Sequence, residues 1–299
     1  MNSPKNLFTI KDLENLSGIK AHTIRIWEKR YEILAPLRSD NNTRIYDTHA
    51  LQKLLNICTL NSFGYKISTI SKLPEERIPV LVREILSNKT LNNHVVSNFK
   101  LAMMNFDVSL FFSTYNTLLV DKSFRDIFYD CFIPLLEEIG MLWQTDTITP
   151  AHEHFISNLI KQKIASNIEK LQAQPPVKHD TVFVLYLPDN EIHEIGLMLL
   201  NYELILNGYK TINLGESVPM QSLVEIKNYF DNITFATYLT TYPPAAEVND
   251  YVAAMKADVL DNKENKLFVF GHNAAHIKQS HLSERVKVFR NVKEFADNL

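Results

Sequence analysis

Three sets of residues in this chain of 299 residues are spaced to do chemistry. The first is Glu191-x-His193-x-x-Gly196. An imidazole can ligate a transition metal, and a carboxylate two residues before it can hold its tautomer and raise its basicity. Gly196 permits close approach of a bulky ligand or of backbone. The second set is Trp143 followed by Glu153-His154, an aromatic and two polar groups. The third is basic: His22, Thr23, Arg25 and Lys29 in one stretch, then Arg38, Arg44 and Tyr46, a pattern suited to phosphates and base edges. No catalytic set stands beside them. Neither Cys58 nor Cys131 has a positioned base, and no Gly-rich phosphate loop is present.

Charge sorts the chain in the same way. Residues 1–72 carry 11 Lys/Arg against 6 Asp/Glu, whereas residues 73–299 carry 20 against 28. A basic head on an acidic body predicts that the head meets a polyanion. With 45% hydrophobic and 22% charged residues the composition is that of a globular protein, not a disordered one. No run of apolar residues is long enough to span a membrane, and the first residues show no secretory leader. Two cysteines among apolar neighbours read as reduced, buried thiols in a cytoplasmic protein.

The elements that must position these residues follow from periodicity. In residues 9–30 Thr9 is an N-cap, Ser17-Gly18 a tight break, and Ile24 and Trp27 face inward on a second helix, leaving His22, Thr23, Arg25 and Lys29 outside. This is a helix-turn-helix, whose second helix enters the major groove. Arg38, Arg44 and Tyr46 flank the turn-rich SDNNTR as a β-hairpin wing would. From about residue 76 to 173, apolar residues recur at helical spacing with one glycine, Gly140. Breaks near Phe106, Lys122 and Asp146 divide this stretch into an antiparallel four-helix bundle, with Asp107, Ser123 and Thr149 as N-caps. The linker QAQPPVKHD follows. Then the period changes. Apolar runs at 181–187, 210–214, 232–239, 266–271 and 286–289 alternate with helical stretches, the first of them amphipathic over 192–207. That alternation predicts a flavodoxin-like (Rossmann-like) parallel sheet domain. The fold class is thus multidomain α and α/β, divided at 1–75, 76–173 and 180–299.

The string 23–54 resembles the MerR family of transcription regulators in Arg25-x-Trp27-Glu28-x-Arg30-Tyr31, Pro36-x-Arg38 and Arg44-x-Tyr46. The resemblance implies a winged helix-turn-helix that binds a pseudo-palindromic DNA operator as a dimer. Glu191-x-His193-x-x-Gly196 is similar to the signature of cobalamin-binding domains. There the His replaces dimethylbenzimidazole beneath the cobalt and the nucleotide tail enters the α/β core. Trp143 with Glu153-His154 is similar to the upper-face motif of light-sensing cobalamin repressors, in which these side chains surround an adenosyl group. The resemblance therefore implies a repressor whose homo-oligomer, a dimer or tetramer, is controlled by adenosylcobalamin and light, with His193 as the metal ligand. It also implies that Thr237 and Leu239 match a Ser-x-Leu beside the tail, and that Gly271 matches the first glycine of a Gly-Gly pair.

Two departures shape the expectations. Gln144 stands where such photoreceptors often carry a second His, with His152 the nearest other imidazole. His272 replaces the second glycine, and its side chain predicts a narrowed tail tunnel. The alternative reading keeps the DNA-binding head and makes the α/β domain a cofactor-free scaffold for oligomerisation or protein binding.

Overall fold

In the computed structural model, residues 7–38, 43–86, 92–144, 147–261 and 264–299 are described. Strand β1 (Phe8–Thr9) leads into α1 (Ile10–Ser17). The Thr9 hydroxyl accepts from the Asp12 N–H, and the Asp12 carboxylate accepts from the Thr9 N–H, so both ends of a capping box are closed. Gly18, at φ 74°, ends the helix in the left-handed region where a side chain would be strained. Helix α2 (Ala21–Tyr31) turns Ile24 and Trp27 into the core, as the spacing predicts. Strands β2 (Leu37–Arg38) and β3 (Arg44–Tyr46) pair antiparallel, in the sheet order β1-β3-β2. The turn of this wing, residues 39–42, lies outside the described residues. Helices α3 (Thr48–Ser62), α4 (Ile67–Ile70) and α5 (Arg77–Leu86) follow.

Among the described residues the bundle has four helical rods: α6 (Asn92–Asn105), α7 (Val108–Leu118), a rod made of α8 (Phe124–Ile127), a π turn at Phe128–Phe132 and α9 (Ile133–Gln144), and α10 (Pro150–Gln172). Asp107 and Ser123 cap their helices through their side chains. Thr149 does not. Its N–H donates instead to Nδ1 of His152 at 3.2 Å, so the third residue of the helix caps the residue before it. The rods meet in an aromatic core in which Phe99, Phe111 and Phe132 are fully buried with ring centres 5.1 to 6.0 Å apart. Each buried ring contributes about 2–3 kcal/mol.

By packing, the chain divides into two units, Met1–Ile160 and Lys161–Leu299. The head and the bundle thus share the first unit, and the division falls inside α10 rather than at the proline-containing linker. Among the described residues, polar contacts join head to bundle. Buried Lys100 of α6 donates to the Leu16 carbonyl at the end of α1 (3.0 Å) and pairs with Glu138 of α9 (2.6 Å). Asn15 of α1 donates to Thr147, between α9 and α10, at 2.8 Å.

The second unit is a five-stranded, all-parallel sheet in the order β5-β4-β6-β7-β8. It comprises β4 (Lys178–Pro188), α11 (Ile195–Leu206), β5 (Tyr209–Val218), α12 (Met220–Ile226), β6 (Ile233–Tyr238), α13 (Val248–Ala254), β7 (Lys266–Phe270), β8 (Val286–Val288) and α14 (Val292–Ala296). Two 3-10 turns join β7 to β8 in place of a helix. Helix α11 is not amphipathic: Leu197, Leu199, Leu200, Asn201, Tyr202, Glu203 and Leu204 are all buried, because it packs on β4, β5 and β6 and against α14. The opposite face of the sheet carries a core of Val184, Tyr186, Phe235, Val252, Met255 and Val269. No helix among the described residues is long and apolar enough to cross a membrane.

Candidate functional site

Glu191 follows β4 and is fully buried. Its Oε1 accepts from the N–H groups of Ile192 and His193, both at 3.0 Å. Its Oε2 accepts from the N–H groups of Thr240, Thr241 and Tyr242 at 3.1, 2.6 and 2.8 Å. Burial alone would raise this carboxyl. The His193 bond and the N–H donors outweigh it and hold the group well below the usual carboxylate range. Glu191 is therefore an anion that fastens the loop after β4 to the loop after β6. The loop after β5 is fastened too, since the Ser217 hydroxyl donates to Asp189 at 3.0 Å and the Ser217 N–H donates to the Glu191 carbonyl at 3.1 Å. In this strand order the connections leave to opposite faces from β4 and β5, and the crevice at the carboxyl ends of β4 and β6 is the place where such sheets take ligands.

His193 stands in that crevice, half exposed, with Nδ1 at 2.6 Å from Glu191 Oε1. A proton on Nδ1, donated to an anion, puts the basic lone pair on Nε2. This is the arrangement that prepares an imidazole to ligate a metal. The pair therefore fits a cobalt ligand.

The residues expected beside a nucleotide tail are placed otherwise. Thr237 and Leu239 are fully buried, and Thr237 lies beside Tyr186, on the face of the sheet away from α11. Gly271 has φ 95°, and a Cβ there would come within 2.3 Å of the Leu239 carbonyl, so the chain's own backbone explains this glycine. The ring of His272 is exposed and faces His276, 6.2 Å away; it narrows nothing. The residue against Gly196 is Tyr238, whose ring atoms lie 2.6 Å from where a Cβ on Gly196 would stand.

In the first unit Glu153 and His154 form a pair at 3.0 Å near the start of α10, and the Ser157 hydroxyl donates to Glu153 at 2.7 Å. Both side chains of the pair reach solvent. Trp143 and Gln144 close α9, but their side chains lie outside the described residues. His152 is occupied with capping, stacks on Phe106 at 4.7 Å, and is pushed down by burial, which makes it a neutral structural residue. Burial also raises the two thiols, Cys58 to about 12 and Cys131 to about 11, so neither is a nucleophile.

On the head, His22, Arg25 and Lys29 are exposed on α2 with Thr23 partly so, and Arg38 is exposed on β2. Tyr46 departs from expectation. It is 1% exposed and its hydroxyl donates to Glu28, which also holds Arg44 Nε at 3.2 Å. Tyr46 therefore fastens the wing to α2 from inside and does not reach a phosphate. Sequence reasoning passed over Ile26, which is 42% exposed between Arg25 and Lys29 and suited to a thymine methyl. The helical period alone puts it outside; its apolar type disguised it.

Residues 8–76 match the family model of the MerR HTH family regulatory protein, and residues 95–166 match a B12 binding domain. The chain thus carries a MerR-type helix-turn-helix head and a B12-binding domain. Two curated relatives are HTH-type transcriptional repressors. It is 26% identical over 222 residues to the HTH-type transcriptional repressor CarH of Myxococcus xanthus, covering 72% of this chain and 73% of that one. It is 26% identical over 216 residues to the HTH-type transcriptional repressor CarA of the same organism, covering 72% and 70%. The fold is also that of the Methanosarcina barkeri monomethylamine corrinoid protein, at a TM-score of 0.56 and 15% identity over 69% of this chain and 97% of that one. The B12-binding match, over the helical bundle, supports cobalamin as the cofactor.

Proposed function

We propose that this regulator is a cytoplasmic repressor whose oligomerisation and DNA binding are controlled by adenosylcobalamin held at His193, and that light resets it. The observation that carries the reading is the Glu191–His193 pair at the switch point of the sheet, an imidazole oriented by a buried anion. His193 would hold the cobalt through Nε2, with Glu191 fixing its tautomer. In the first unit, Trp143, Glu153 and His154 are the further candidates for cofactor contact. Adenosylcobalamin supplies a light-labile cobalt–carbon bond. His22, Thr23, Arg25 and Lys29 read the double-stranded operator, while Arg38 and Arg44 hold phosphates and set the register. A ligand that binds one assembly state better draws the population to that state, and the DNA-binding state is the assembled homo-oligomer.

Size exclusion of the purified chain with adenosylcobalamin in the dark, followed by absorbance, tests this. The expected result is corrinoid co-eluting with a large species that shrinks after green light. His193→Ala should weaken uptake at least about tenfold, a loss of roughly 1.4 kcal/mol, and change the spectrum of any corrinoid that remains. Uptake and spectrum both unaltered in His193→Ala would overturn the assignment.

A further inference from the structure

On the α11 side of the sheet, the ends of β6 and β7 are covered by side chains. Tyr238 lies against Gly196 in the first turn of α11. Its ring is parallel to that of Phe270, with centres 6.4 Å and planes 6° apart. Phe270 in turn stacks on Phe289 at 5.1 Å and 16°. Phe289 and Phe270 both close on Phe295 of α14, at 4.8 and 5.3 Å. A column of rings therefore runs from α11 to α14. A cavity of about 560 Å³ lies at the far end of this column, where Phe289 lines it with Lys287, Arg290 and Glu294.

Cobalamin is a corrin ring carrying a nucleotide that ends in dimethylbenzimidazole. When a protein imidazole takes the lower position on cobalt, that base must leave the metal and find another place. Three residues after His193, in the first turn of α11, Tyr238 already fills the space beside Gly196. Opening a stacked, close-packed column forfeits the contacts of every ring in it. A pocket shaped around the tail would gain affinity from the tail; a filled one gains none.

We propose that Tyr238 makes this site take the corrin ring with its nucleotide tail left outside the sheet, so that a corrinoid lacking the tail binds at least as well as complete cobalamin. The inference rests on the reading of His193 as the cobalt ligand.

Absorbance titration of the full chain in the dark with hydroxocobalamin and with diaquacobinamide, which has no nucleotide, tests it. The wild type should bind diaquacobinamide at least as tightly as hydroxocobalamin, whose own base must first leave cobalt, and Tyr238→Ala should tighten hydroxocobalamin at least about tenfold while leaving diaquacobinamide within about threefold. His193→Ala should weaken both. A wild type that prefers hydroxocobalamin by more than about tenfold overturns the inference and leaves the role of His193 standing. If neither corrinoid binds, or His193→Ala changes neither, the cobalt-ligand reading fails and the inference falls with it. The wild-type ratio decides the matter even where Tyr238→Ala does not fold.

Discussion

Glu191 carries more of the second unit than its place in a loop suggests. One buried carboxylate accepts five backbone N–H bonds and one imidazole bond. Its carboxyl is held below the ordinary range in the folded state. A group of this kind contributes stability above its unfolded pKa, about 4.3 for Glu, and loses it as pH falls through the lower folded value. Thermal melts between pH 7 and pH 3 should therefore show a steep fall below about pH 4.3 in the wild type. Glu191→Gln should melt lower at pH 7, by about 2–4 kcal/mol of stability, and show a flatter acid limb. An equally steep limb in the variant would assign the acid sensitivity to other carboxylates. The motif Glu191-x-His193 was legible in the sequence because its two members are neighbours. The three donors from Thr240 to Tyr242 were not, since they come from the loop after a separate strand and arrive only when the parallel sheet forms. The same holds for Tyr238: the sequence shows a bulky residue inside Thr237-x-Leu239, but only the alternation of β6 decides which face it covers.

At the scale of elements, the periods were the reliable signal. The switch from helical spacing to short apolar runs after the two prolines marks where the sheet begins, and every run that was singled out is a strand. What periodicity could not show is how a helix is surrounded, and so α11 is buried where an amphipathic helix was expected. Nor could it show Lys100. An isolated lysine in a helical pattern reads as a solvated position, yet this one is buried and donates to a carbonyl at the end of α1. A cation there satisfies an orphan acceptor and complements the negative end of the helix. Lys100→Met keeps the stem's packing and removes the charge. It should cost about 1–3 kcal/mol, seen as a fall of about 2–4 °C in Tm per kcal/mol for a unit of this size. An unchanged Tm would show the contact to be dispensable.

For the whole molecule, the division of charge decides how DNA is met. The excess of Lys/Arg lies in the first 72 residues and the excess of Asp/Glu in the rest, so the acidic body repels the duplex that the head attracts. Binding should weaken steeply with salt, because each neutralised phosphate releases a counterion. Arg38→Ala should weaken binding to all duplexes alike and reduce the slope of log K against log salt by about 1. Anisotropy titrations at several salt concentrations measure it, and an unchanged slope would remove Arg38 from the phosphate contacts.

The two polar contacts from α1, Leu16 to Lys100 and Asn15 to Thr147, have a consequence for the operator. A reading head on a slack tether can accommodate half-sites at variable separation. A head bonded into the helical bundle behind it cannot. In an assembly of such chains, the number of base pairs between half-sites is measured by the protein's own shape. Insertions there would be rejected even though no side chain touches them.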